Sequence, residues 1–192
     1  MSRIQGVPDG QGNPFVRFAY RETRKRVGRV IEPMRVLARC PSLLAGNGAM
    51  EIAFERSHAA DERLKELATL KAAALVGCRF CLDIGSMMAR RSGASEEQLR
   101  ALVDYARSPA FDAREKLALD LAVAMTATPV VVSDELWARL RERFEEPALV
   151  ELVAIIGWEN FRARTNHAWG LGSEGFCADG TCALPESAAT AT

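Results

Sequence analysis

Three residues combine reactive side chains with a regular spacing: Glu66, Cys78 and Cys81. The two cysteines form a C-x-x-C pair directly after Gly77. Cysteines three apart at the start of a helix lie on one face, where the free N–H groups and the positive dipole end favour thiolate. Such a pair can cycle between dithiol and disulfide, since one thiolate attacks an oxidant or a disulfide and the other thiol resolves the intermediate.

Two helices must position these groups. A helical pattern that opens at Asp61-Glu62 carries Glu66, and Gly77 predicts its end because glycine adopts the left-handed conformation at no steric cost. A second helical pattern runs to about Arg91. If the two helices pack antiparallel, the carboxylate comes back beside the sulfurs, where partial burial would raise its pKa and let it accept a thiol proton. The alternative is an ordinary exposed carboxylate near a helix start.

Position 85 lies four residues beyond Cys81 and seven beyond Cys78, so a side chain there would lie under both sulfurs. The residue is glycine. We call it the relay position, because a titratable side chain there could pass a proton to a cysteine.

The segment from about Glu62 to Gly93 resembles the carboxymuconolactone decarboxylase-like, or alkyl hydroperoxidase D-like, family. The peroxidase branch of that family carries a glutamate, eleven residues, C-x-x-C and then a histidine four residues after the second cysteine. Glu66, Cys78 and Cys81 match the first three elements in type and spacing, and Gly85 stands in place of the histidine. The helical pattern of the family extends over about residues 32–172.

The resemblance implies an all-α fold, a compact multi-helix bundle of the alkyl hydroperoxidase D-like type. It implies a thiol-dependent peroxidase with Cys78, Cys81 and Glu66 as catalytic residues, without a cofactor or a metal. A hydroperoxide is the implied substrate and a dithiol protein or lipoyl-type adaptor the implied reductant, and in this family the second cysteine generally meets the peroxide. The missing histidine predicts weak or atypical activity. The alternatives are a decarboxylase-like enzyme on a small organic substrate and a non-catalytic redox sensor of the same fold.

The remaining cysteines leave several hypotheses open. Cys177 and Cys182 enclose A-D-G-T, whose Asp-Gly is a turn signal that could bring both sulfurs together. They could form a local disulfide, act as a resolving pair, or join Cys78 and Cys81 in a four-thiolate zinc site. Cys40, before a proline at a helix boundary, is interpreted as a packed or incidental thiol.

Three other polar residues have side chains that could take part in chemistry: His58, His167 and Asp83. We interpret His58 and His167 as surface or satisfied side chains, with His167 the better candidate to replace the missing relay histidine. Asp83 lies about 140° round an ideal helix from Cys78, so we interpret it as a first-turn acid favoured by the helix dipole.

Composition limits the partners and the compartment. Basic and acidic residues balance, 25 against 25, so neither nucleic acid nor an anionic membrane surface is indicated. No apolar run reaches the ~18 residues of a membrane span, and the N-terminus lacks the apolar region of a secretory signal. A cytoplasmic protein is therefore expected.

The pattern along the chain predicts three parts and a homo-oligomer. Residues 1–13 are expected to be a flexible arm, 14–172 a single helical domain and 173–192 a tail. Capping residues such as Ser95 mark helix starts. Apolar helix surface exceeds what one small bundle hides, and the resemblance implies a trimer or hexamer. The apolar segments are Ala72–Val76, Met87-Met88 and Val150–Trp158.

Overall fold

The structure is a computed structural model that describes residues 2–178 and 180–186. Every regular element within these residues is a helix, which confirms the predicted all-α class. The α-helices are α1 (Pro14–Val27), α2 (Glu32–Leu37), α3 (Pro41–Arg56), α4 (Glu62–Val76), α5 (Arg79–Arg91), α6 (Glu96–Ala101), α7 (Ala113–Thr126), α8 (Asp134–Arg141) and α9 (Glu146–Trp169), and a short 3-10 helix, Leu102–Asp104, follows α6.

Side-chain caps explain where many of these helices begin. In each, a side-chain oxygen of the residue before the helix accepts a backbone N–H of the first turn, a contact worth about 1 kcal/mol. These caps are Asn13 for α1, Asp61 for α4, Ser95 for α6, Asp112 for α7 and Ser133 for α8. The helix start predicted at Ser95 is confirmed, and Ser95 forms a capping box with Gln98. Gly77 ends α4 with φ of 75°, as its sequence position predicts.

The chain forms two compact units, of which the first runs to Arg56 and includes Trp169–Leu171. Its core is a cluster of buried side chains from α1 to α3: Val16, Tyr20, Val30, Leu37, Ala38 and Leu44. The N-terminal segment joins this unit at Val7, whose N–H donates to the Arg35 carbonyl at 2.9 Å. The Tyr20 hydroxyl donates to the Val7 carbonyl at 2.7 Å. The arm's flexibility and the boundary at residue 14 stay predictions.

The second unit comprises Ser57–Ala168 and the described residues from Gly172 to Glu186, with α4 at its centre. This helix packs against α5 and α7. Its buried Lys65 is paired, with Nζ 2.8 Å from Glu151 Oε1 of α9. Removing one partner of such a pair typically costs about 3–5 kcal/mol, so the pair fixes α4 against α9.

Residues 172–178 and 180–186 lie against α5 and its neighbours. The Ser86 hydroxyl accepts the N–H of Ala183 at 3.0 Å, and Arg90 donates to the Thr181 carbonyl at 2.7 Å. Lys71 of α4 is ion-paired with Glu186. None of the described helices is long and apolar enough to cross a membrane.

Candidate active site

The two cysteines of the C-x-x-C pair meet at the start of α5. Cys78 is the residue before the helix, and its Sγ accepts the N–H of Cys81 at 3.2 Å. The two sulfurs form a disulfide across a Cα–Cα distance of 5.3 Å, and both residues are buried. The pairing inferred from their spacing is therefore present, at the end of a helix where backbone N–H groups favour thiolate.

Asn166 of α9 contacts this pair, and sequence reasoning missed it. Its buried side-chain Nδ2 lies 3.5 Å from Cys81 Sγ. An amide N–H directed at sulfur stabilises a thiolate relative to a thiol, because hydrogen bonding to the charged form favours that form. Asn166 therefore supplies a donor to Cys81 but cannot itself act as an acid or a base.

The Glu66 carboxyl is half-buried on α4, and burial raises its pKa from 4.5 to about 7. The Arg162 guanidinium opposes this rise, whereas Glu62 and Glu159 add to it by like-charge repulsion. The direction of this shift is the one that a partly buried carboxyl is expected to show. A carboxyl with this pKa exchanges protons readily at neutral pH, as a general acid or base requires.

The register of α4 and α5 does not place Glu66 directly beside the sulfurs, where the sequence pattern predicted it. The α4–α5 pair is joined by a tight turn, and a Cβ placed on Gly85 would lie 3.0 Å from Leu70 Cδ1. Leu70 is one turn beyond Glu66, so the carboxylate lies farther along α5 than Gly85. The sulfurs lie on the other side of Gly85, since Cys81 is four residues or about 6 Å back along α5. Along the axis of α5, the relay position thus lies between the level of Glu66 and the level of the sulfurs.

Both histidines are exposed, which agrees with their interpretation as surface residues. His167 lines a pocket of about 540 Å³ whose lining includes neither cysteine. The other lining residues are Leu75, Val76, Val123, Thr126, Ala127, Thr128, Arg164 and Ala168. It is therefore Asn166, the residue before His167, that α9 presents to the dithiol.

The C-terminal cysteines form their own disulfide, Cys177–Cys182. Among the described side chains, Cys177 and Cys182 group with Asp83 as potential metal ligands. The C-x-x-C sulfurs are not part of this group, so the four-thiolate zinc site does not form. The interpretation of Asp83 as a plain first-turn acid is wrong, since it is buried and accepts backbone N–H groups of the tail. Cys40 is an exposed free thiol and not a packed one.

Comparison with known proteins gives a family and a fold. The model of the "Carboxymuconolactone decarboxylase family" matches residues 45–124. The uncharacterized protein YnjA of Escherichia coli (strain K12) is 35% identical over 155 residues, which cover 80% of this chain and 85% of YnjA.

Two crystal structures share the fold at low identity. The apo debrominase Bmp8 has a TM-score of 0.80 at 20% identity, covering 90% of this chain and 93% of its own. An uncharacterized peroxidase-related protein of Ralstonia eutropha JMP134, described as an alkylhydroperoxidase AhpD core, has a TM-score of 0.80 at 19% identity, covering 91% of this chain and 94% of its own. These similarities establish the alkyl hydroperoxidase D-like architecture of the chain.

Proposed function

Because the chain belongs to the carboxymuconolactone decarboxylase family, we propose that it is a thiol oxidoreductase that reduces hydroperoxides with the Cys78–Cys81 pair. The observation that carries the proposal is the pair itself, joined at a helix start and contacted by the amide of Asn166. It is expected to work without a cofactor, as a slow or atypical peroxidase, and the cytoplasm is the proposed location.

The catalytic cycle has three balanced steps. The Cys81 thiolate, supported by Asn166, attacks the terminal oxygen of a hydroperoxide, the O–O bond breaks, and the alkoxide takes a proton to leave as an alcohol. The Cys78 thiolate attacks the resulting sulfenic sulfur and expels hydroxide, which leaves as water after protonation. A dithiol protein or a lipoyl-type adaptor then reopens the disulfide and is itself oxidised to a disulfide.

Glu66 is proposed as the acid–base group of this cycle. Its pKa of about 7 allows it to take the proton of a cysteine thiol and return it to the leaving alkoxide. The proton must cross the relay position, where Gly85 offers no titratable group. Water is the proposed carrier across this gap, which accounts for the slow reaction that we expect.

The reduced protein is expected to lose two thiols and consume one equivalent of hydroperoxide, much faster than an ordinary cysteine reacts. Purified in air, it should carry the Cys78–Cys81 disulfide, which a dithiol reopens reversibly. Stopped-flow mixing with hydrogen peroxide or cumene hydroperoxide, followed by peptide mass mapping, measures both. Cys40→Ser removes the exposed free thiol from the signal.

Single-cysteine variants assign the roles in that reaction. Cys78→Ser should still consume one equivalent and stop at a sulfenic acid on Cys81, whereas Cys81→Ser should react no faster than free cysteine. Two free thiols in the mapped C-x-x-C peptide after mild oxidation would contradict a redox role for the pair.

A second candidate is an enzyme that uses the same cysteines on a small organic substrate. Two observations favour it: the relay position is glycine, and the debrominase Bmp8 shares the fold. A dithiol that forms its disulfide with oxidants but reacts with hydroperoxides no faster than free cysteine would favour this candidate over the peroxidase.

A homo-oligomer is proposed from one exposed stripe of α9. Val150, Ala154, Gly157 and Phe161 follow one another at spacings of four, three and four on the exposed side of the helix. Val150 is 70% exposed and Phe161 47%. The small residues between them would let the helix of a second copy approach closely. The segment Ala72–Val76 was also predicted to contribute to the contact between copies, but its first three residues are buried within the second unit.

Light scattering at micromolar concentration is expected to give a mass several times 21.0 kDa. The trimer or hexamer itself follows from the family resemblance alone. Val150→Glu should dissociate the assembly, because it places a charge in the proposed apolar contact. Val130→Glu is the matched control, since Val130 is 61% exposed and lies off the stripe. A monomer mass for the unaltered protein would refute the proposal.

A further inference from the structure

The C-terminal residues 172–178 and 180–186, here called the strap, are held to one face of α5 by polar contacts. The Asp83 carboxylate accepts the N–H of Glu174 at 2.7 Å and that of Cys177 at 3.0 Å. Ser86 and Arg90, farther along the same helix, hold the backbone groups of the strap that follow Cys177. The anchors lie at positions three and four apart on α5, so one helix face is dedicated to the strap.

The Cys177–Cys182 disulfide lies at the first of these anchors. Its two sulfurs and a carboxylate oxygen of Asp83 all lie within 4.8 Å of one another. Beside it, the ring of Phe176 packs edge-on against Phe80 of α5, with centroids 6.5 Å apart. Cys177 is buried, whereas Cys182 is partly accessible. Of the two cysteines, Cys182 is therefore the one more open to a reductant.

This disulfide is separate from the C-x-x-C pair. Asp83 is two residues beyond Cys81, which is about 200° round the helix, so the two disulfides lie against opposite faces of α5. The group of potential ligands around Asp83 does not include Cys78 or Cys81. Direct exchange between the two pairs therefore has no short path in this structure.

We propose that Cys177–Cys182 is a second redox site, reduced by dithiols, and that its reduction detaches the strap from α5. A reductant thiolate attacks Cys182 Sγ and forms a mixed disulfide, while Cys177 leaves as a thiolate and takes a proton. The second thiol of the reductant then releases Cys182, so that two electrons and two protons pass to the chain and the dithiol becomes a disulfide.

Reduction of the pair should weaken the attachment of the strap to α5 in two ways, through repulsion between like charges and through chain entropy. Burial tends to raise the pKa of this carboxyl, but backbone N–H groups of Phe176, Cys177 and Glu174 hold it below its ordinary value, so the group stays charged. A carboxylate beside the sulfurs repels any thiolate that reduction creates. The disulfide closes a loop of sequence separation 5, and opening it gives the detached strap more conformational entropy. This gain corresponds to about a 30-fold shift of the equilibrium from the attached to the detached strap.

Hydrogen exchange measured by mass spectrometry tests the proposal on the full chain. Cys40→Ser, Cys78→Ser and Cys81→Ser are combined, so that only the strap pair can be oxidised or reduced; serine also suits the capping position of residue 78. With dithiothreitol as the probe, amides of the strap should exchange about 30-fold faster after reduction. Amides of α4 serve as the internal reference and should not change.

Two further measurements complete the test. Alkylation after native-state treatment with dithiothreitol should label both strap cysteines, and Cys177→Ser with Cys182→Ser should show the fast exchange with and without the reductant. A pair that resists dithiothreitol in the folded protein overturns the redox site. Complete labelling with unchanged exchange overturns the detachment. Neither result depends on peroxide chemistry, because the C-x-x-C pair is absent from the test protein.

Discussion

Glu66→Gln is expected to slow the single-turnover reaction with hydroperoxide by about 10²- to 10⁴-fold at pH 7.5, the range that general acid–base assistance contributes. Glutamine keeps the size and polarity of the side chain but cannot exchange a proton. Alkylation of the C-x-x-C thiols should slow as well, because the proton acceptor is lost. Stopped-flow rates on the reduced protein measure both effects.

The pH profile separates loss of a base from loss of structure. With a pKa of about 7, Glu66 is protonated at pH 5.5 and cannot accept a proton there. The rate of the unaltered protein should therefore rise through pH 7, and the gap between it and Glu66→Gln should close toward pH 5.5. Glu97→Gln, which removes an exposed carboxylate that is not among the charges acting on Glu66, is the matched control and should leave the profile unchanged. Identical profiles for all three proteins would make Glu66 structural.

The stability of the folded protein should fall as pH rises, whereas the reaction rate rises. The unfolded Glu66 releases its proton near pH 4.5 and the folded one near pH 7, so the unfolded state binds fewer protons between these values. The free energy of unfolding therefore falls as pH rises through this window and stays lower above it. Glutamine avoids this cost, and Glu66→Gln should be more stable than the unaltered protein at pH 8, by up to about 3 kcal/mol. Urea unfolding at pH 5 and pH 8 measures the difference.

The part of the site at the end of α4 and the start of α5 was predictable, because it depends on interactions between residues close in sequence. Gly77 ends α4 and Cys78 opens α5 because the glycine conformation and the capping position depend on neighbouring residues only. The C-x-x-C spacing fixes which helix face carries the sulfurs. The raised pKa of Glu66 was also predictable, since a carboxyl on a central helix loses water.

Contacts between distant segments account for what the sequence did not reveal. Asn166 meets Cys81 across 85 residues, and Asp83 meets Cys177 across 94. Residue type alone does not distinguish these two buried side chains from the many asparagines and aspartates that lie in solvent. One signal was available for Asn166, because it continues the buried helical spacing of Ile156 and Ala163 along α9. No comparable pattern marked Asp83, whose partners are backbone groups of an irregular segment.

Gly85→His is expected to raise the peroxide reaction rate, by as much as about 10²- to 10⁴-fold if the histidine completes the proton path. Along the axis of α5, the relay position lies between the level of Glu66 and the level of the sulfurs, so an imidazole there could take a proton from Cys81 and pass it to the carboxylate. Its ordinary pKa near 6.5 matches that of Glu66, which allows transfer in both directions at neutral pH. Single-turnover rates with hydrogen peroxide measure the gain.

Packing against Leu70 decides how Gly85→His is best tested. A Cβ at position 85 would lie 3.0 Å from Leu70 Cδ1, so the flexible end of Leu70 must shift by a few tenths of an ångström. Leu70→Val should make that space, and the double variant should then keep the gain in rate with less loss of stability.

Gly85→Gln is the matched control, because it fills the position without a titratable ring and should give no gain. A folded Gly85→His that reacts no faster than the Gly85→Gln control would mean that peroxide reduction is not the natural reaction. If the unaltered protein is already as fast as a dedicated peroxidase, another group carries the proton, because the proton path is then complete without a side chain at position 85.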